Sequence, residues 1–296
     1  MIVVIGSTNT DMVISGSKIP VPGETVSGGT FMMNPGGKGA NQAVAVARLS
    51  KRRGGCMFIA KVGDDVFGRD TAVRMKKDGI DARLVVDRGN ASGTALILVD
   101  KAGQNCISVA LGANGTLSPS DVKRFRREIE GADALLMQLE TPIETVAWAA
   151  KVAHAKGVPV ILNPAPAAKL PKELYSCLDW ITPNETEAEL LTGVKVTDLA
   201  SCRKAEAAFR RRGVANVIIT LGSKGCYAAG RIHPCVKVKA VDTVAAGDTF
   251  NGAFVVALSE GKGVDEAVAF AQRASAISVT RAGAQPSIPR REECKM

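Results

Sequence analysis

Aromatic residues are scarce in this chain of 296 residues, since Phe, Trp and Tyr together make up 4% of it. So few rings do not favour the stacking platform on which single-stranded nucleic acids bind. The sequence also lacks an apolar run of the roughly 18 residues that a membrane-spanning helix needs. Its opening apolar stretch ends at Gly6 and has no charged leader before it, so we expect a cytoplasmic protein without a signal peptide.

Histidine is almost absent, because His154 and His233 are the only two in the sequence. This excludes a histidine-rich metal site, and a Ser-His-Asp triad would have to use one of these two residues. The seven cysteines are scattered and contain no C-x-x-C pair, which argues against a disulfide framework and a structural zinc site. The remaining composition, with 46% hydrophobic and 23% charged residues, is that of a folded globular protein.

The formal net charge is +9, and much of it comes from basic runs at residues 51–53, 123–127 and 210–212. Such runs are most often solvated faces. Because no zinc-finger, RNP or basic-zipper pattern accompanies them, we expect no nucleic-acid partner. A basic surface also suits an anionic small-molecule ligand, and the charge alone does not choose between these partners.

Apolar strand patterns alternate along most of the chain with helical patterns of about ten or more residues. This alternation predicts βαβ units, and therefore an α/β fold with a mainly parallel sheet. Two stretches, residues 11–33 and 94–110, contain strand patterns only, and the second has a hairpin signal at Gly103. We expect these stretches to pair as a small separate sheet. No linker or repeat divides the chain, so residues 1–296 are predicted to form one domain.

A glycine-rich segment at residues 34–43 leads into a predicted helix. It is not G-x-G-x-x-G, since residue 42 is Gln, and it is not a Walker A loop, since Gly39 follows Lys38 where Ser or Thr is needed. The glycines would let the backbone approach a ligand closely, while Lys38 and Asn41 offer hydrogen-bonding groups suited to a polyol. The alternative is a tight turn that packs the helix against the sheet, and the segment alone does not decide.

A second helix start, at residues 241–253, places small residues before Asp248. Consecutive backbone N–H groups at a helix N-terminus form an anion hole for phosphate charge. Phosphate oxygens would repel a carboxylate at the mouth of that hole unless the carboxylate had a task, and accepting the proton of an attacking hydroxyl is such a task. The alternative is that Asp248 only caps the helix.

Two further segments suit a nucleotide. Residues 182–187 place an amide and carboxylates at a helix start, and this chemistry holds a hydrated Mg²⁺ beside phosphates. Residues 220–225 form a glycine-rich turn after a buried strand, as a nucleotide site at the end of a parallel strand would. The alternatives are a capping arrangement for the first segment and an ordinary hairpin for the second.

Together these segments resemble the ribokinase family of carbohydrate kinases. Residues 36–41 are similar to its N-terminal signature and residues 242–253 to its C-terminal one. The likeness continues in order along essentially the whole chain, through residues 63–65, 137–140, 163–166, 184–187, 220–225 and 280–287. It implies a doubly wound, mainly parallel sheet flanked by helices, with a small β-sheet lid formed by about 11–35 and 90–110 that often makes a homodimer contact.

The resemblance also implies an activity: ATP-dependent phosphorylation of D-ribose at the 5-hydroxyl, with Mg²⁺ and a monovalent cation such as K⁺. Asp248 would be the general base, and the anion hole would consist of Ala245, Ala246 and Gly247. The residues implied in sugar binding, besides Asp248, are Asn9, Asp11, Gly37, Lys38, Asn41 and Glu140. Those implied in ATP binding are Asn184, Thr220, Gly222, Ser223, Gly225, Gly247 and Gln272. Glu187 would support Mg²⁺, and the positions that match the monovalent-cation loop are Asp242, Val244, Ser278, Arg281, Gly283 and Ser287.

Three alternatives stay open. A kinase of the same family could act on 2-deoxyribose, another sugar or a nucleoside, although deoxyribose lacks the hydroxyl that Asp11 or a neighbour would bind. A binding protein that responds to a sugar or nucleotide without catalysis is disfavoured, because the residues implied in catalysis are present. The basic surface could bind nucleic acid. The chain departs from the family pattern at residues 50–55, which are longer and more basic than usual, and at Asn34-Pro35.

Overall fold

The computed structural model describes residues 1–295 and has the α/β architecture that the alternating pattern predicts. Its strands, numbered along the chain, are β1 (Ile2–Ile5), β2 (Asn9–Ser15), β3 (Thr30–Gly36), β4 (Cys56–Gly63), β5 (Asp81–Asp87), β6 (Gly93–Val99), β7 (Asn105–Ala110), β8 (Ala134–Met137), β9 (Val160–Leu162), β10 (Trp180–Ile181), β11 (Asn216–Val217), β12 (Ile219–Thr220), β13 (Cys226–Ala228) and β14 (Arg231–His233). Its α-helices are α1 (Lys38–Leu49), α2 (Val66–Lys77), α3 (Pro119–Lys123), α4 (Arg126–Glu130), α5 (Ile143–His154), α6 (Lys172–Tyr175), α7 (Glu185–Thr192), α8 (Leu199–Arg211), α9 (Ala246–Ser259) and α10 (Val264–Ser278).

The central sheet has seven strands in the order β11-β10-β9-β8-β1-β4-β5, and every neighbouring pair is parallel. Strand β1 lies inside the sheet, between β8 and β4, with all four residues buried: Val3 and Ile5 join the core on one face, while Ile2 and Val4 join the core on the other. A parallel strand covered on both faces is expected to be apolar throughout. Helices α1, α9 and α10 pack on one face of the sheet and α5, α7 and α8 on the other.

A separate four-stranded sheet has the order β3-β2-β6-β7. Its outer pairs are antiparallel and its central pair, β2 with β6, is parallel. The strand-only stretches at residues 11–33 and 94–110 therefore do form a small sheet, including the hairpin at Gly103. Residues 16–29 connect β2 to β3 without a strand of their own. Pro20 and Pro22 lie in this connection. Proline has no backbone N–H and could not donate a hydrogen bond to a neighbouring strand, so it suits a segment outside the sheet.

The apolar run at residues 217–221, which the sequence predicts as one strand, is divided at Ile218 between β11 and β12. The N–H groups of Ile218 and Thr220 donate to the carbonyl oxygens of Ile181 and Pro183 at 3.0 Å and 2.9 Å, so the backbone runs beside β10 and the residues that follow it. Strand β12 then pairs antiparallel with β13, and β13 pairs antiparallel with β14, in a third sheet. The turn between β12 and β13 contains Gly222 and Gly225, whose φ angles of 55° and 103° favour glycine.

The strand order of the central sheet reverses between β1 and β8. The chain fills one half of the sheet from β1 to β4 and β5, and later fills the other half from β8 to β11. Connections that leave neighbouring strands in opposite directions open a crevice at the carboxyl edge of the sheet, which is where ligands bind in doubly wound folds. The segments after β1 and β8, residues 6–9 and 138–140, meet at this crevice. Within residues 1–295, no helix has both the length and the apolar character that crossing a bilayer requires.

Candidate active site

The glycines of residues 36–39 bring α1 against the segment that follows β1. A Cβ atom on Gly39 would lie 2.5 Å from the backbone N of Ser7, and one on Gly37, whose φ is 86°, would lie 2.7 Å from the backbone N of Asn9. These distances are too short for any side chain. The alternative interpretation, a tight turn that packs α1 against the sheet, is therefore observed. The role of Gly37 in sugar binding stays a prediction.

Glu140, after β8, ties the two loops of the crevice together. Its Oε2 accepts a hydrogen bond from the backbone N–H of Lys38 at 2.9 Å and another from Ser7 Oγ at 2.5 Å. The side chain of Lys38 lies among carboxylates. Burial disfavours its charged ammonium, but Asp248, Glu140 and Glu187 outweigh this effect and raise the pKa of Lys38. The structure thus brings Lys38, Glu140 and Asp248 together, as the prediction of a shared site requires.

Asn9 and Asp11 occupy the start of β2, beside the crevice. Asn9 is 7% exposed, and its Oδ1 accepts a hydrogen bond from Asn114 Nδ2 at 2.8 Å, which fixes the orientation of the amide. The carboxyl group of Asp11 lies over Gly36, where a Cβ atom would come within 2.1 Å of Asp11 Oδ2. Burial, and then the charge of Glu140, raise the pKa of Asp11 to about 6.

Asp248 is the buried carboxylate of the site, with 7% of the residue exposed. Its Oδ2 accepts a hydrogen bond from Asn41 Nδ2 at 2.9 Å, and its Oδ1 accepts one from Gln42 Nε2 at 3.0 Å. Burial raises its pKa, while Lys38 and the two amide donors oppose the shift. The N-cap of α9 is Ala245, and no side chain caps this helix. The alternative that Asp248 only caps α9 is therefore wrong.

The N-terminus of α9 has the backbone geometry of an anion hole. Ala245 adopts φ 59°, a left-handed conformation that is unusual for a residue with a Cβ atom. The N–H of Ala246 donates to the carbonyl oxygen of Thr243 at 3.2 Å, whereas the N–H groups of Gly247 and Asp248 have no acceptor among residues 1–295. A Cβ atom on Gly247 would meet no atom within 4 Å. The open side of the predicted hole is thus at Gly247 and Asp248 rather than at Ala246.

Asn184 and Glu187 form a reciprocal capping box at the start of α7. Asn184 Oδ1 accepts from the N–H of Glu187 at 2.8 Å, and Glu187 Oε2 accepts from the N–H of Asn184 at 2.9 Å. The capping alternative is therefore correct for the local structure. Burial raises the pKa of Glu187, with Lys38 lowering it and Asp248 raising it further. These charge effects place Glu187 within electrostatic reach of Asp248 and Lys38.

The residues predicted for ATP lie around the third sheet. Thr220 forms an isolated parallel bridge with Asn184, which joins two of the predicted segments. The turn at Gly222, Ser223 and Gly225 is a hairpin, as the alternative for this segment proposed. The amide of Gln272 in α10 donates to the carbonyl oxygen of His233 at 2.8 Å, so it ties α10 to β14.

The predicted monovalent-cation loop joins two chain segments through Asp242. Its Oδ1 accepts from the N–H of Val244 and its Oδ2 from the N–H of Gly283, both at 2.9 Å. Ser278 and Ser287, which lie close in sequence to these segments, are buried. The side chain of Arg281 forms a salt bridge with Glu293. The hydroxyl, carboxylate and carbonyl oxygens of these residues are donor types that hard cations prefer, and K⁺ binding by the loop stays a prediction. Across the described chain, no cluster of three or more His, Cys, Asp and Glu side chains could hold a metal ion by itself.

Sequence reasoning assigned no role to a set of buried polar side chains behind Asp248. They are Gln42, Gln138, Asn163, Thr182 and Asn251, and they hydrogen-bond to one another, to Asp248 and to the carbonyl oxygen of Gly247. Their signal in the sequence was a polar residue directly after each buried strand. Residues 138, 163 and 182 follow β8, β9 and β10 in this way.

A buried carboxylate oriented by two amides, beside free N–H groups, has the chemistry to take a proton from a hydroxyl next to a phosphoryl group. This places the protein among the phosphotransferases of the doubly wound α/β class. A family model described as pfkB family carbohydrate kinase matches residues 1–291, and the chain belongs to that family. The resemblance drawn from the sequence motifs is confirmed.

Individual relatives agree with this assignment. The chain is 48% identical to the ribokinase of Haemophilus influenzae, over 98% of this chain and 95% of that protein. The crystal structure of ribokinase from Thermotoga maritima is 43% identical, with a TM-score of 0.89 over 99% of this chain and 97% of that one. A structure of Arabidopsis thaliana ribokinase complexed with ribose and ATP is 33% identical, with a TM-score of 0.89 over 99% and 96% of the two chains.

Proposed function

We propose that this carbohydrate kinase transfers the γ-phosphoryl group of ATP to the 5-hydroxyl of D-ribose, giving D-ribose 5-phosphate and ADP. The observation that carries the mechanism is the buried Asp248 carboxylate, which Asn41 and Gln42 hold directly before the free N–H groups of α9. Full-length similarity to ribokinases supports the choice of sugar, since one of these relatives was solved with ribose and ATP.

Asp248 acts as the general base. Its carboxylate accepts the proton of the 5-hydroxyl while the sugar oxygen forms a bond to the γ-phosphorus, and the bond to the bridging oxygen breaks as ADP leaves with the electron pair. Burial makes Asp248 a stronger base than an exposed aspartate, because it raises the pKa of the carboxyl group. The amides of Asn41 and Gln42 keep the carboxylate in one orientation.

Negative charge on the transferring group is stabilised by the protein from two sides. The N–H groups of Gly247 and Asp248 point away from protein acceptors and supply the anion hole, with the left-handed turn at Ala245 setting their direction. The ammonium of Lys38 is kept charged by the surrounding carboxylates, so it adds a positive charge between the sugar and phosphate positions.

The sugar subsite comprises the polar side chains around the crevice and the backbone of Gly37. Asn41 Oδ1 is buried without a hydrogen-bond partner among the described residues, and a ribose hydroxyl would supply its donor. Asp11 and Glu140 each offer carboxylate oxygens that accept hydrogen bonds from hydroxyl groups. Asn9 is held by Asn114 and presents its amide N–H groups to the sugar.

ATP would lie along the edge of the sheets, against the residues implied for it: Asn184, Thr220, Gly222, Ser223, Gly225, Gly247 and Gln272. Glu187 would hold Mg²⁺ through its water shell, and this ion supplies positive charge beside the phosphates when it is bound. The loop of Asp242, Val244, Ser278, Arg281, Gly283 and Ser287 would hold K⁺.

We further propose that the sheet of β2, β3, β6 and β7 is a lid that closes over the sugar and excludes water, the competing nucleophile. Apolar side chains of this sheet are exposed, and Phe31, Met33 and Leu96 are 55% to 60% exposed. They suit a second copy of this chain, so the protein would be a homodimer. Sedimentation equilibrium measures the oligomeric state directly, and a monomer at micromolar concentration would contradict the proposed homodimer.

We expect a cytoplasmic enzyme without a nucleic-acid partner.

The proposed function is tested by ADP release from ATP and Mg²⁺ with D-ribose, 2-deoxyribose, fructose and adenosine, each with and without K⁺. We expect D-ribose to give the highest kcat/KM and K⁺ to raise the turnover. A higher value for another acceptor would leave the mechanism standing and replace the substrate. No turnover with any acceptor would favour a binding protein, and a salt-sensitive mobility shift with DNA or RNA would favour a nucleic-acid partner.

The pKa of about 6 for Asp11 predicts a pH-dependent affinity for ribose. An ionised carboxylate accepts stronger hydrogen bonds from hydroxyls than a protonated one does, so ribose should bind more tightly as the pH rises through about 6. Asp11→Asn should lose this dependence and weaken binding about 10-fold or more. Titration calorimetry with ribose from pH 5 to about 8 measures both effects. Glu144→Gln, at an exposed position of α5, is the control, and an unchanged profile in Asp11→Asn would contradict the assignment.

A further inference from the structure

Gln42 lies at the centre of the buried polar side chains behind Asp248. The residue has no exposed surface. Its Nε2 donates to Asp248 Oδ1 at 3.0 Å and to Asn163 Oδ1 at 3.1 Å, and its Oε1 accepts from Gln138 Nε2 at 2.5 Å. Both hydrogens of the amide nitrogen are therefore used, one of them on the catalytic carboxylate.

The direction of these hydrogen bonds is fixed from outside the site. The backbone carbonyl oxygen of Thr182 can only accept, and it accepts from Asn163 Nδ2 at 3.1 Å. Asn163 must then present its Oδ1 to Gln42. Because this oxygen can only accept, the Gln42 atom that contacts it must be the donor Nε2. A flipped Gln42 amide would place its oxygen against two other oxygens and its nitrogen against Gln138 Nε2. Gln42 is therefore held with its donor towards Asp248.

Space for this arrangement is provided by a glycine. A Cβ atom on Gly6, after β1, would lie 2.0 Å from Gln138 Oε1 and 2.9 Å from the Cα of Gly39. Any side chain at Gly6 would displace Gln138, which is the residue that fixes the oxygen end of the Gln42 amide. The chain of amides thus reaches from the carboxyl ends of β1, β8, β9 and β10 to the catalytic base.

We propose that Gln42 is a positioning residue, which fixes the orientation of the Asp248 carboxylate and favours its ionised form through this one-way chain of amides. The proposal rests on the function proposed for Asp248 and adds a role that the sugar and nucleotide contacts do not contain. Gln42 holds Oδ1 with a donor that has no hydrogen left for a ligand. Asn41, which belongs to the sugar subsite, donates to Oδ2, so the two amides together orient the carboxylate while each of its oxygens keeps a lone pair that could accept the proton of the sugar hydroxyl.

The groups around Asp248 predict what happens when the donor is removed. Lys38 from α1 faces it with positive charge, Glu140 after β8 and Glu187 from α7 face it with negative charge, and Asn41 and Gln42 donate to it. Burial already raises the pKa of Asp248, and Gln42 opposes that rise. Gln42→Met keeps the length of the side chain but has no N–H, so the pKa of Asp248 should rise further.

The experiment compares the pH profile of kcat with D-ribose and ATP for the wild type, Gln42→Met and Gln42→Glu. The acidic limb is the low-pH part of the profile, where kcat falls as Asp248 becomes protonated. It should move to higher pH in Gln42→Met, and further in Gln42→Glu, where a second carboxyl group faces Asp248. At a pH below the limb kcat should fall about 10-fold for each unit of displacement, while KM for ribose changes less. Thr145→Val, on α5, is the control, since it removes a buried hydrogen bond from Thr145 to the carbonyl oxygen of Leu117 and should lower stability without moving the limb.

A second readout does not need activity. A carboxyl group whose pKa is raised in the folded state binds more protons there than in the unfolded state, so its contribution to the free energy of unfolding falls as pH rises between the two pKa values. In urea unfolding, this fall should extend to higher pH in Gln42→Met than in the wild type, and Asp248→Asn should remove the difference. Should Gln42→Met not fold, Gln42→Leu, which also lacks an N–H group and has no titrating group, gives the same comparison.

The two proposals fail in different ways. A wild type that does not phosphorylate ribose overturns the proposed substrate, while the unfolding experiment still tests Gln42. An acidic limb and an unfolding profile that both stay in place in the Gln42 variants, as in Thr145→Val, would overturn the role of Gln42 and reduce it to a packing residue.

Discussion

Asp248→Asn should lower kcat by about 10²- to 10⁴-fold, the range in which a general base contributes, while ribose and ATP still bind. The substituted amide has the shape of the carboxyl group but cannot accept the proton of the sugar hydroxyl. Only one of its two terminal atoms is an acceptor, so one of the donors, Asn41 Nδ2 or Gln42 Nε2, loses its partner. Initial rates of ADP release give kcat, and calorimetry with ribose gives the affinity.

Stability separates loss of the base from loss of the fold. Replacing a buried carboxylate by a neutral amide removes a desolvated charge, so at neutral pH we expect Asp248→Asn to unfold no earlier than the wild type. Glu292→Gln makes the same chemical change at an exposed position near the C-terminus and should keep full activity. A variant Asp248→Asn that turns over within about 10-fold of the wild type would rule out general-base catalysis by this residue.

Gly247→Ala should lower kcat by about 10²-fold or more, which is the effect of losing one donor of an anion hole. The added methyl group would enter open space, since no protein atom lies within 4 Å of that position. In the proposed mechanism the transferring phosphoryl group occupies this space, so the methyl group blocks its approach to the N–H groups of Gly247 and Asp248. Alanine is also the better helix former, so the folded state should be at least as stable.

The expected combination is unusual, because it pairs an equal or higher Tm with a large loss of turnover. Gly263→Ala is the matched control: it adds the same methyl group before α10, again with no atom within 4 Å, and should leave kcat unchanged. Wild-type turnover in Gly247→Ala, measured with saturating ribose and ATP, would mean that the phosphoryl group does not pass over this position.

The elements of the fold could be predicted from local sequence patterns. The buried run of β1 and the helices between later strands indicate a parallel sheet, and the small residues before Asp248 indicate a helix N-terminus. The proposed role of Asp248 as the base needed the resemblance to the family as well, because the local pattern also allows a helix cap. At single segments, a structural role and a ligand-binding role were harder to separate, because the same arrangement of residues can serve both. Gly37 and Gly39 are required for packing, and Asn184 and Glu187 do cap α7, whatever ligand they also bind.

The amides behind the base could not be predicted, since their roles depend on tertiary contacts. Gln42, Gln138 and Asn163 come from three separate segments, and each is an ordinary polar residue by itself. The division of residues 217–221 between two strands could not be predicted for a related reason. The apolar run is continuous, but β11 and β12 belong to different sheets, and only the partners of each strand decide where one ends.

The amides of α1 that hold Asp248 stand 207 and 206 residues before it in the sequence. The two helices that carry these groups touch where Gly252 of α9 lies against Ala45 of α1, with no room for a Cβ atom. During synthesis, the segment proposed to bind sugar and the sheet around it emerge long before Asp248, the proposed base, does. On the proposed mechanism, a nascent or truncated chain that ends before α9 would have no base for the phosphoryl transfer, and catalysis would begin only when the last helices dock.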